Sequence, residues 1–442
     1  MTMLFSGGAV VTMDPGLGDL EQGDVLVSGE HIVAVGPDLR DHPQAHGAEL
    51  VDTTGRIVSP GFVDTHRHAW QAQLRRSIPD VTDLGAYVMS TLAGLAPAYR
   101  PHDMYVGTRL AALSALDAGI TTMLDFSHNS RSAAHSDAAI QALADSGLRG
   151  VHASMAPHFG EWDGQWPQDV ERLHAAYPRG PVTVRLATLA TGEVAGPRLA
   201  YGKELAALAR DQGIGVSIDA VFGAASSAAI LGWARDGLLG PQVTLIHATG
   251  LTTDAWRAIG DTGATVSLAP TSDAQIGLET AVPAVDEALA AGVRPGLSID
   301  VEVALAGDMF SQMRALHTIQ RMRAVNAAYG TEAEIHRITT RDVLDFATVQ
   351  GARTIGLGAV TGSLTPGKQA DLLVVNASDI NTMPLNDAVG TLVLGADPRN
   401  IETVLVAGVL RKAEGRLVGV EVSTLHEEVL ASRDAILSAA KK

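Results

Sequence analysis

No cysteine occurs in the 442 residues. That removes disulfides, thiolate metal sites, cysteine-held iron–sulfur clusters and a thiol nucleophile together, so any metal must be held by nitrogen and oxygen. Basic charge is also scarce: 32 Lys and Arg stand against 49 Asp and Glu, a formal charge of −17. Such a chain repels phosphate backbones and anionic lipid surfaces, which argues against nucleic acid or a membrane as partner and for a small neutral or cationic ligand. The first Lys or Arg is Arg40, so the basic start of a signal or transit peptide is missing, and no apolar run approaches the roughly 18 residues of a membrane span. A cytoplasmic protein is expected. With 46% hydrophobic and 18% charged residues, wholesale disorder is excluded.

Residues 1–58 read as short strands broken by Gly, Asp and Pro: Leu4–Val11, Gly23–Ser28, His31–Val35 and Glu49–Val58. From Pro60 onward, apolar β-type runs alternate with Ala-rich segments of helical period. Eight such runs stand out: Gly61–Thr65, Thr121–Phe126, Gly150–Met155, Val182–Ala187, Gly215–Ala220, Val243–His247, Ala264–Leu268 and Arg294–Ile299. The intervening helices are read as Met104–Ala118, Ala133–Ala144, Arg198–Asp211, Ala224–Arg235 and Ala281–Ala291. Eight βα units close into a (β/α)₈ barrel, with an open doubly wound sheet as the alternative. β character returns at Ala370–Val375 and Ile401–Val406, with turns at Gly408 and Gly415, before an amphipathic helix at Val422–Ala440.

Asp64-Thr65-His66-Arg67-His68 ends the first of these strands. A period of two points both imidazoles to one face, where they can clamp one ion. A His-x-His pair alone is weak evidence, but barrel active sites lie at the C-terminal strand ends. Three more strands end in a possible ligand there: the fifth in Asp219, the sixth in His247 and the eighth in Asp300. Singly each can be an ordinary cap; jointly they favour a metal site.

Pro60-Gly61-Phe62-Val63-Asp64-Thr65-His66-Arg67-His68, the strand ends at His247 and Asp300, and Gly362-Ser363-Leu364-Thr365-Pro366-Gly367-Lys368-Gln369-Ala370-Asp371-Leu372 resemble the amidohydrolase superfamily. Its branch of cytosine and guanine deaminases and triazine chlorohydrolases is the nearest in look. The resemblance implies a distorted (β/α)₈ TIM barrel (59–361) and a small β-sandwich built from both termini (1–58 and 362–420), followed by a C-terminal helix (421–442). It implies one divalent metal, zinc first, with iron, manganese or cobalt as alternatives, and a dimer. His66 and His68 match the strand-one ligands. Asp300 matches the strand-eight carboxylate that binds metal and takes a proton from its water. His247 matches the strand-six histidine that contacts metal, water or substrate.

The departure is at strand five, where the family's metal-binding His and, three residues on, its catalytic Glu are replaced by Asp219 and Phe222. Three roles for Asp219 stay open. It is a carboxylate ligand; or His247 supplies the missing imidazole while Asp219 handles protons; or metal is held weakly or not at all and the scaffold serves other chemistry. A lysine-bridged binuclear site is argued against, because the only lysine between Pro60 and Gly362 is Lys203, inside a helical stretch. The implied activity is hydrolysis of a C–N or related C–X bond of a small cyclic substrate by metal-activated water. A lyase, dehydratase or cyclase on the same barrel is the alternative, and a binding protein without catalysis a third. Trp70, Gln71, His128 and His158 are candidate substrate contacts, and Glu279 and Glu302 candidate replacements for the absent Glu.

Overall fold

The computed structural model describes residues 1–178, 180–332 and 337–441. The chain forms two compact units: residues 1–64, 114–122 and 308–419 make one, and residues 65–113, 123–307 and 420–442 the other. Lys442, at the end of the expected C-terminal helix, lies outside the described residues.

The first unit carries a nine-stranded sheet drawn from both termini. Its N-terminal strands are β1 (Thr2–Val10), β2 (Leu20–Ser28), β3 (His31–Gly36), β4 (Glu49–Asp52) and β5 (Arg56–Pro60). The expected run Glu49–Val58 divides into β4 and β5 because Gly55 turns the chain at φ 73°. The C-terminal strands β14 (Leu372–Asn376), β15 (Ile401–Val406), β16 (Val409–Ala413) and β17 (Arg416–Leu417) join through an antiparallel β5–β14 ladder. The sequence reading saw only turns where β16 and β17 lie. Glu414 (φ 48°) and Gly415 (φ 75°) form the two-residue hairpin that pairs these two strands. Phe5, Val25, Ile32, Val58 and Leu372 are among the buried residues of this unit's core.

The second sheet has eight strands in strict chain order: β6 (Phe62–Arg67), β7 (Ile120–Ser127), β8 (Arg149–Ser154), β9 (Val182–Leu189), β10 (Val216–Ala220), β11 (Val243–His247), β12 (Thr265–Leu268) and β13 (Gly296–Leu297). From β8 to β13 every pairing is parallel. The strands are buried almost throughout, as strands covered on both faces must be. Beyond β13, the amide of Asp300 donates to His66 O (2.9 Å) and that of His68 to Asp300 O (3.1 Å), closing the ring with a parallel bridge. The (β/α)₈ barrel expected from the eight runs is therefore present. Expected helices shorten where the chain forbids them. Ala281–Ala291 becomes Val285–Ala290, since Pro283 pushes its predecessor out of the α region and Ala281 is left-handed at φ 54°. The helix Val422–Ala439 buries only Ser432 and Ile436, as an outside-packed amphipathic helix does.

Candidate metal centre

β6 delivers His66 and His68 to one side and Arg67 to the other, and the chain around residue 300 supplies a carboxylate to each side. On the first, Asp300 Oδ1 lies 3.2 Å from His66 Nε2 and 3.1 Å from His68 Nε2. Its Oδ2 is 3.8 Å from His247 Nε2 and accepts the Ser272 hydroxyl. One ligand atom each from His66, His247 and Asp300 lie within 4.8 Å of one another, the one potential metal cluster among the described residues. Ligand atoms about 2.1 Å from a shared ion at tetrahedral angles are about 3.4 Å apart, and the contacts to Asp300 bracket that separation. Three imidazole nitrogens and a carboxylate form a donor set that suits zinc and its neighbours.

The outer nitrogens are tied down. His68 Nδ1 donates to Phe126 O (3.0 Å), and His247 Nδ1 meets Asp273 Oδ1 at 2.8 Å. Each contact leaves Nε2 facing the centre, the arrangement that fixes tautomer and ring angle in metal-binding histidines. His247 (φ 63°) and Asp300 (φ 68°) both occupy the left-handed backbone region. Non-glycine residues in that region cluster at functional sites, where the surrounding structure holds them.

Protons report the crowding. Burial disfavours a charge on His247, yet the Asp273 carboxylate with Asp300 and Asp219 raises its pKa to about 9. Burial likewise opposes charge on His68, but hydrogen bonding to Asp300 outweighs it and the pKa rises. His66 is held down to about 3 by burial. Burial works to raise Asp300, whereas its hydrogen bonds with His66 and His68 carry it well below the carboxylate range. Asp219 is pushed up by burial, and its Oδ1 has no hydrogen-bond partner.

A pocket opens beside the centre, lined by His68, His128, His158, Asp219 and Tyr87 together with apolar side chains. His128 stacks on His68 at 3.9 Å and stands 5.1 Å from His158. Trp70 and Gln71 do not line it. Trp70 is buried and donates to His128 Nδ1 (3.0 Å), and Gln71 donates to the Tyr87 hydroxyl (2.7 Å), so both stand behind lining residues. Glu279 is exposed, and its carboxylate accepts from Gly223 N at the start of the helix Gly223–Arg235. Glu302 serves the other side of β6. Its Oε1 accepts from Arg67 Nη1 (3.0 Å), its Oε2 from Arg75 Nε, and Arg67 Nη2 also donates to Gly307 O (3.0 Å). Burial would raise Glu302, but the two guanidiniums hold it low.

Sequence reasoning missed Asp273, Ser272, Tyr87 and Ser226. The first two follow the seventh barrel strand in Ala269-Pro270-Thr271-Ser272-Asp273, so the strand-end rule that found His247 and Asp300 would have found them. Nothing local marks Tyr87 or Ser226.

Residues 57–411 match the model of the amidohydrolase family. The chain belongs to that family. Among curated amidohydrolase-like relatives, a 5-methylthioadenosine/S-adenosylhomocysteine deaminase of Symbiobacterium thermophilum is 28% identical over 92% of each chain. A 5'-deoxyadenosine deaminase of Methanosarcina mazei is 24% identical over 99% of this chain and 98% of that one. An adenosine deaminase of Xanthomonas campestris with bound zinc superposes with a TM-score of 0.83 at 22% identity, covering 99% of this chain and 98% of that one. An atrazine chlorohydrolase of Arthrobacter aurescens complexed with zinc gives 0.82 at 22%, over 98% and 100%. This amidohydrolase thus shares its barrel with zinc-bound structures.

Proposed function

We propose that the chain is a metal-dependent hydrolase that cleaves a C–N or related C–X bond of a small cyclic molecule. The observation that carries this reading is the convergence of three imidazole nitrogens on the Asp300 carboxylate at the mouth of a barrel, beside a pocket. The deaminase names of the relatives and the zinc in the structural neighbours support it.

His66, His68, His247 and Asp300 would hold the ion, and zinc is the ion proposed. Bound there, a divalent cation lowers the pKa of water to near neutrality and polarises the bond under attack. Asp300, ionised at any working pH, accepts the proton of the attacking water. Asp219, whose free Oδ1 and raised pKa leave it protonated more readily than an ordinary aspartate, passes a proton to the departing group. Asp273 keeps His247 turned to the centre. This assignment takes the second of the three roles open for Asp219, because the close contacts that gather His66, His68 and His247 about Asp300 do not involve it. A cytoplasmic homodimer is proposed as the working form, tested by fractionation and by solution mass.

The test is turnover of amine-bearing heterocycles by zinc-loaded protein in ¹⁸O-water. Ammonia or amine release with one solvent oxygen in the product supports hydrolysis. Product formed without solvent oxygen would assign the barrel to a lyase or cyclase instead.

A further inference from the structure

The pocket beside the metal centre has a chemistry of its own. Its apolar lining includes Leu84, Val88, Leu92, Leu189, Val194 and Phe222. Among the described residues, neither Lys nor Arg lines it. Arg67, which β6 turns away from His66 and His68, and Arg75 are committed to Glu302. Beyond the metal-facing His68, the lining imidazoles add no positive charge. His128 Nδ1 accepts a hydrogen bond from Trp70 and so carries no proton there, and burial holds His158 down to about 3. Among the described residues, Asp219 is the one acidic side chain in the lining.

Besides Asp219 Oδ1, two buried polar atoms in this lining lack a partner among the described residues: the hydroxyl of Ser226, which is fully buried on the first turn of the helix Gly223–Arg235, and His158 Nδ1. Buried polar atoms without partners are unfavourable, and they are what a ligand's heteroatoms satisfy. A carboxylate, phosphate or zwitterionic arm entering the same space would lose its water and find no counter-charge.

We propose that the substrate is an uncharged, ring-bearing molecule whose end remote from the metal is alkyl or aryl, and that Ser226 and His158 read the heteroatoms of its ring. This rests on the hydrolase reading for which end of the molecule faces the metal, and it excludes substrates that carry an anionic or amino-acid tail away from the reacting bond.

The experiment measures binding by calorimetry, with zinc-loaded protein and without turnover. The probes are paired aminopyrimidines carrying either an N-propyl or an N-carboxyethyl arm. The propyl member should bind about tenfold or more tighter than its partner. Val194→Arg, at a half-buried position of the lining, should reverse that order. Ser226→Ala should weaken the propyl probe about fivefold while bound zinc is unchanged. Equal affinity for the two arms, or no measurable binding of the propyl probe, overturns the proposal. Preference for the propyl arm with no hydrolysis of any amine removes the hydrolase reading and leaves the pocket assignment standing. Hydrolysis with no preference does the reverse.

Discussion

Two clusters grow from the same two pieces of chain and differ in how their charge is settled. On one side of β6, His66 and His68 meet Asp300; on the other, Arg67 and Arg75 meet Glu302. Alternation along a strand makes the separation. The Glu302 cluster is complete as it stands, because two permanent cations hold one carboxylate in fixed hydrogen bonds. The Asp300 cluster gathers groups that change protonation state easily, with His247 raised to about 9 and His66 lowered to about 3 in one small space. One cluster holds the strand ends in register, and the other is poised to exchange protons for a cation. A structural ion pair and a reactive centre are thus told apart by whether the chain's own groups satisfy the charge.

Breaking the reactive side should cost most in rate. Asp300→Asn keeps the shape but removes the proton acceptor and an anionic ligand, so kcat should fall about a thousandfold. Denaturant midpoints of the metal-free variant should stay near the parent's. Breaking the structural side should show the opposite profile. Glu302→Gln leaves Arg67 charged in a fully buried position, and unfolding free energy should drop by roughly 3 kcal/mol or more, read from urea titration. Activity per folded molecule should change less than in Asp300→Asn.

Asp219→Asn sharpens the division within the reactive side. As a proton donor its loss should lower kcat about a hundredfold while zinc content holds at the parent level. Loss of zinc together with activity would make it a ligand instead. The smallest effect concerns pH. The folded-state pKa of His247, about 9, lies above the ordinary histidine value of 6.5. Its contribution is therefore fully present below pH 6.5 and is lost as pH rises through 9. The metal-free protein should lose about 2 kcal/mol over that window, and His247→Gln should flatten the dependence.

Much of this was legible from the residues. Strand ends at His66, His68, His247 and Asp300 are readable because parallel strands buried on both faces are apolar, so a polar residue closing such a run marks the mouth. The pairing of Arg67 with Glu302 was not, since 235 residues separate them and only barrel closure brings them together. Tyr87 and Ser226 belong to a loop-side helix and a first helical turn, whose orientation depends on packing that no local pattern encodes. Glu279 read as a pocket carboxylate from its place beyond the seventh strand, but Gly223 N–H at the helix start claims its carboxylate.

The central claim is that β6, His247 and Asp300 together hold one cation. Metal content per chain, measured after dialysis against zinc for the parent and for His66→Ala/His68→Ala, tests it most directly. One zinc per parent chain and almost none in the variant, with unchanged circular dichroism, is the expected result. A parent that retains no zinc, or a variant that retains as much as the parent, would contradict the account.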